Sequence, residues 1–161
     1  MLEITVGEKL RKLGLSLASA ESCTGGLVGH RLTNVPGSSE YYLGGVISYD
    51  NRVKHGVLQV PAEVLNTVGA VSQECALAMA HGARQLLDTS LAVSTTGIAG
   101  PGGATPGKPV GLVFIGLVDA RGFERCESYI WTGDRETNKA LTAEAALKLV
   151  EDYLDKLDSE S

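Results

Sequence analysis

Three short apolar runs, LSLAS from Leu15, GGVISY from Gly44 and LAVSTTG from Leu91, alternate with stretches of helical spacing, and this alternation most narrows the folds open to the chain. Val6, Leu10 and Leu13, flanked by charges and closed by Gly14, predict an opening amphipathic helix. LSLAS follows as a buried strand, and a turn over Glu21 to Thr24 feeds a helix through Gly25 to about Leu32. After the loop NVPGSS, GGVISY is a second strand whose end delivers Tyr49. Asp50 or Asn51 then caps a short helix with Lys54 near its first turn.

A longer helix is expected from Ser72 to Leu87, with Ala76, Met79, Ala80 and Ala83 on one side. LAVSTTG is a strand, IAGPGGATPGKP a loop, and VGLVFIGLVDA and ERCESYIW a strand pair turning at Arg121 and Gly122. From Asp134 onward Ala140, Ala143, Ala146, Leu147, Val150 and Leu154 recur at helical spacing, so a long helix closes the chain and its end, DSES, frays. The predicted fold is α/β: a single domain over residues 1–161, a three-layer α/β/α sandwich around a mixed sheet.

A chain of 161 residues, 43% hydrophobic, buries roughly 70% of its unfolded surface as one domain. The net charge of -5 leaves no broad cationic face, so no nucleic-acid partner is expected. No apolar run approaches the length of a membrane span, and MLEITVGEKLRKLG lacks the basic region and apolar core of a signal peptide, so the expected location is cytoplasmic. Cys23, Cys75 and Cys126 are an odd number without CxxC spacing, which fits free thiols, with Cys75 and Cys126 as small core residues. His30, His55 and His81 are scattered singly, so neither a metal nor another cofactor is expected.

Gly102, Gly107 and Lys108 match GxxxxGK, but Pro109 follows where a phosphate-binding loop needs a hydroxyl, and a strand follows where it needs a helix. The stretch Gly97 to Gly103, with Gly100 and Gly102, can instead hold an anion or amide through converging N–H groups, or be a compact turn fixed by its prolines. Thr95 or Thr96 can point a hydroxyl into such a site.

Ser22 stands between a buried strand and a helix, where unpaired helix N–H groups can stabilise oxyanion charge. No histidine accompanies it in a triad motif, and a neutral lysine can serve as base if burial or a nearby cation lowers its pKa. SYDNRVKHG places Tyr49 and Lys54 across one turn, facing one pocket, with Arg52 as a cation able to depress the lysine. The plainer readings are Ser22 as a helix N-cap, Tyr49 as a strand end and Lys54 as a solvated helix lysine. Glu21 is an ion-pair partner or a site carboxylate, and Cys23 is the rival nucleophile.

AESCTGGLVGHRLTNVPGSSEYYLGGVISYDNRVKHGVL, GAVSQECA, TTGIAGPGGATPGKPVGLVFIGL and GDRE together resemble the CinA C-terminal family, also known as the nicotinamide-nucleotide amidohydrolase family, over about residues 4–157. The resemblance implies the stand-alone form of that domain. It implies hydrolysis of the carboxamide of nicotinamide mononucleotide to nicotinic acid mononucleotide and ammonia, a step of pyridine nucleotide salvage. Ser22 would be the nucleophile and Tyr49 with Lys54 the base, oxyanion charge being met by N–H groups near Ser22 and Cys23. Glu21, Cys23, Thr24, Gly25, Gly26, Thr96, Gly97, Gly100, Gly102, Gly103, Lys108 and Arg135 would surround the nucleotide, with Arg31, Lys108 and Arg135 as candidates to meet its phosphate. Where the family commonly has GDRxxVR this chain has Asn138 and Lys139, which leaves open a non-catalytic pyridine-nucleotide-binding or regulatory domain. Relatives self-associate, so a homo-oligomer is expected, with EYYLGGV as a contact surface or as core.

Overall fold

In the computed structural model, which describes residues 1–160, the elements run α1 (Leu2–Leu13), β1 (Leu17–Glu21), α2 (Leu27–Thr33), β2 (Tyr42–Ile47), α3 (Asn51–Gly56), α4 (Ala62–Asn66), α5 (Gln73–Leu87), β3 (Leu91–Gly97), β4 (Leu112–Asp119), β5 (Glu124–Ile130) and α6 (Arg135–Ser159). A short 3-10 turn at Ser38–Glu40 precedes β2. The sheet order is β2-β1-β3-β4-β5. The first three strands in that order are parallel, and β4 and β5 run antiparallel to their neighbours. A mixed sheet between helical layers is the architecture that the alternation of strand and helix patterns implies.

Two apolar cores flank the sheet. On one side α1, α2 and α6 bring large aliphatic side chains, Leu10, Leu32, Leu147 and Leu154 among them, against Leu17, Val93 and Leu117. On the other, α5 presents Ala76, Met79, Ala80 and Ala83, and the small residues let its axis lie close to the strands. Gly82 on the same helix admits the segment just beyond α3, for a Cβ there would run into the carbonyl of Leu58.

Local chemistry sets the element ends. Gly14 adopts φ 67° and closes α1, and Ser72 and Asp134 accept the N–H groups of Cys75 and Thr137 as caps of α5 and α6. Asp50, and not Asn51, caps α3 by accepting the Arg52 N–H at 2.8 Å. The helix expected from Gly25 starts only at Leu27, because Gly25 and Gly26 take φ values of 60° and 106° that no right-handed helix accepts. The expected fraying at the C-terminus is not seen through Asp158 and Ser159, which continue α6; Ser161 lies outside the described residues. Cys75 is a core residue as expected, whereas Cys126 on β5 is only half-buried. No helix among the described residues is long and apolar enough to cross a membrane.

Candidate active site

The carboxyl ends of parallel strands open into a crevice, and here the ends of β1, β2 and β3 converge on one. Ser22 is the first residue beyond β1. Its N–H donates to the Thr95 carbonyl at 2.9 Å, and on the other side Ser48 N–H donates to the Glu21 carbonyl at 2.7 Å, so the serine leaves the sheet between two fixed neighbours.

The turn that follows is organised by Glu21. Its carboxylate, 3% exposed, accepts the Thr24 hydroxyl at 2.6 Å and the N–H groups of Gly26, Val28 and Gly29 at 3.2, 2.9 and 3.0 Å. A negative group at the start of α2 satisfies donors that the helix leaves unpaired. Because Thr24 gives its only hydroxyl proton to Glu21, the 2.7 Å contact between Thr24 and Thr95 is donated by Thr95. Glu21 is therefore neither an ion-pair partner nor a wall of the cavity; it braces the turn from beneath. Ser22 is not the cap of α2 either, that place being Gly26.

Lys54 reaches Ser22. From α3 its Nζ lies 3.0 Å from Ser22 Oγ, 2.7 Å from the Ser48 carbonyl and 3.2 Å from the Tyr49 carbonyl, and the residue is 1% exposed. Burial pushes its pKa below the ordinary lysine value, opposed in part by Cys75, Asp50 and Cys23. A neutral amine has two N–H donors and one lone pair, and the site offers two carbonyls and one hydroxyl. The expected cation does not contribute: Arg52 is 92% exposed and pairs with Asp50 at 3.2 Å.

Tyr49 stands differently from expectation. Its main-chain carbonyl holds Lys54, but the residue is 61% exposed and its phenol accepts from Arg135 Nη2 at 2.9 Å. The other guanidinium nitrogen, Nη1, donates to the Gly100 carbonyl at 2.8 Å. Cys23 is buried beside Ser22, and burial pushes its thiol up to about 12, so it stays protonated and unreactive at neutral pH.

Ser22, Lys54, Cys23, Tyr49 and Arg135 line a cavity of about 300 Å³, with Thr96, Gly97, Gly100, Gly102 and Gly103 forming the opposite wall. Thr96 lines it without offering its proton, which goes to the Ala70 carbonyl at 2.8 Å. Thr24, Gly25 and Gly26 lie in an adjoining, wider hollow of about 950 Å³, where Arg135 appears again beside Lys139 and His30. Lys108 lines neither, since its amine donates to the Val68 carbonyl. Arg31 is tied to Glu3 at 2.6 Å and Glu144 at 2.7 Å and is not available to an anion.

Sequence reasoning missed Asn51 and Val71, which also line the smaller cavity, and the Ser48 carbonyl that fixes Lys54. A main-chain carbonyl carries no residue-type signal. The N–H groups of Cys23, Thr24, Ala99, Gly100, Gly102 and Gly103 donate to no oxygen among the described residues, whereas that of Ser22 is already used. The unpaired donors are thus the turn just past Ser22 and the glycine loop facing it.

The family model of the CinA C-terminal domain matches residues 1–154. A CinA-like protein of Salinibacter ruber is 51% identical over 148 residues, 91% of this chain and 35% of the relative. The chain spans 35–37% of the length of such curated relatives. Among solved structures, the competence/damage inducible protein CihA from Agrobacterium tumefaciens is 38% identical with a TM-score of 0.92, over 96% of this chain and 93% of that one. The competence damage-inducible protein A (ComA) from Klebsiella pneumoniae is 33% identical with a TM-score of 0.92, over 96% and 95%. With a match over nearly its whole length and a shared sheet and helix arrangement, the chain belongs to the CinA C-terminal domain family.

Proposed function

We propose that this chain hydrolyses the carboxamide of nicotinamide mononucleotide, giving nicotinic acid mononucleotide and ammonia, with Ser22 as nucleophile and Lys54 as base. The observation that carries the reading is the 3.0 Å contact between Lys54 Nζ and Ser22 Oγ inside a cavity that keeps the lysine out of water. Neutral Lys54 takes the Ser22 proton as the oxygen attacks the carboxamide carbon, then gives it to the departing nitrogen, which leaves as ammonia. The acyl-serine is cleaved by water that Lys54 deprotonates, and the proton returns to Ser22. The unpaired N–H groups of Cys23 and Thr24, and those of the glycine loop, are the donors available to the oxyanion.

Tyr49 takes a different part from the shared base that the resemblance implies. Its phenol is engaged by Arg135, so it shapes the mouth of the cavity while its carbonyl steadies Lys54. The nucleotide phosphate belongs in the wider hollow, where Arg135 and Lys139 supply positive charge that Arg31 and Lys108 do not.

Incubation with nicotinamide mononucleotide should release ammonia and the acid nucleotide, and Ser22→Ala should reduce the rate about 1000-fold or more. Equal ammonia release by the Ser22→Ala protein would overturn the nucleophile. Calorimetric binding of the nucleotide without any product would return the chain to the non-catalytic binding domain.

A further inference from the structure

The first turn of α6 reaches the glycine loop twice, at adjacent residues. Arg135 holds the Gly100 carbonyl, and Asn138, 1% exposed, donates from Nδ2 to the Ala99 carbonyl at 3.0 Å. The same amide group donates to the Gly133 carbonyl at 3.0 Å and its Oδ1 accepts the Gly133 N–H at 3.0 Å. Asn138 thus uses both ends of its side chain to lock itself to the start of its own helix, and spends its remaining donor direction on a loop 39 residues away in sequence. A buried amide satisfied this fully has one orientation available.

In a trans peptide the N–H points opposite to the carbonyl. Drawing the Ala99 carbonyl toward Asn138 therefore turns the Gly100 N–H away from α6. That N–H has no acceptor among the described residues, and Gly100 lines the cavity of Ser22 and Lys54. Gly100 itself resists replacement, with φ 87° and a Cβ that would meet Val110 Cγ1 at 2.5 Å. We propose that Asn138 is a positioning residue that orients the Ala99–Gly100 peptide so that the Gly100 N–H is presented to the oxyanion formed on the Ser22-bound substrate.

The inference rests on the amidohydrolase reading for its kinetics but not for its geometry, so the two can fail separately. Asn138→Ala removes every contact of the side chain, while Asn138→Asp keeps the acceptor for the Gly133 N–H and places an oxygen where the Ala99 carbonyl needs a donor. With nicotinamide mononucleotide both variants should lose about 10–100-fold in kcat, less than the full loss of an oxyanion donor, with KM within about twofold of the wild type. The pH dependence of kcat/KM should keep the midpoint of the wild type, because Lys54 is untouched. Unchanged kcat in both folded variants, or equal losses in kcat and KM, would overturn the proposal.

Independently of turnover, the Gly100 amide resonance in 15N-labelled protein should move in Asn138→Ala and Asn138→Asp, while that of Thr24, held by the Glu21 turn, stays in place. A Gly100 resonance unmoved in both variants would overturn the proposal even if the wild type hydrolyses the nucleotide. A wild type that hydrolyses no amide would overturn the function and leave the resonance to decide the geometry.

Discussion

The turn beyond Ser22 and the glycine loop face each other across one cavity, and they are held in opposite ways. The turn is braced from inside: Glu21, the residue next to the serine, gathers the donors of Thr24, Gly26, Val28 and Gly29 within eight positions of itself. The loop is braced from outside, by Arg135 and Asn138 reaching back from a helix that begins 35 residues later. A locally held wall forms with its own segment and shares its stability. A remotely held wall depends on how α6 docks, and it can be released without unfolding.

Removing Glu21 tests the first half of that contrast and should have the largest effect. Glu21→Ala strands buried donors at the start of α2, so a loss of roughly 2–4 kcal/mol in unfolding free energy is expected, measured by denaturant titration, together with loss of turnover. If the variant melted like the wild type, the turn would not be held by its carboxylate.

Arg135→Ala tests the second half. Here the melting temperature should stay within a few degrees, while KM for nicotinamide mononucleotide rises about tenfold as the phosphate and the Tyr49 phenol lose their partner. Arg135→Lys should restore little, because one ammonium cannot hold the Gly100 carbonyl and the phenol in the same fork geometry. A large drop in stability would mean that the loop is part of the folding unit after all.

The smallest difference is expected in the pH profile. Protonated Lys54 has no lone pair, so kcat/KM should rise about tenfold per pH unit and level off below the ordinary lysine range, its pKa being lowered by burial. Arg135→Ala should show the same midpoint, since the guanidinium is engaged with the Gly100 carbonyl and the Tyr49 phenol, and the lysine is shifted by its burial and by Cys75, Asp50 and Cys23. A shifted midpoint would show the two walls to be electrically coupled.

This same contrast explains what the sequence discloses. Strand and helix order, a cap at Asp50 or Asn51 and a helix opening near Ser72 follow from spacings of a few residues, which periodicity and turn chemistry register directly, whereas Lys54 meets Ser22 across 32 residues and is singled out by the family resemblance. The starting point of α2 was hidden by two glycines whose φ values are set by the turn and not by composition. Charge alone suggested Arg31 and Lys108 as anion contacts, but their partners Glu3, Glu144 and Val68 lie far along the chain. A separation of five residues points the Tyr49 phenol toward Lys54, while Arg135, 86 residues away, is what it meets.

Gly82 bears on the chemistry from the far side of the molecule. Its missing side chain lets α5 sit directly under the Leu58 carbonyl, two residues past the end of the helix that carries Lys54. The seat of the segment that follows the Lys54 helix is therefore a matter of clearance, gauged by a single hydrogen atom on a helix that lines neither cavity. One methyl group there would act as a shim beneath Leu58.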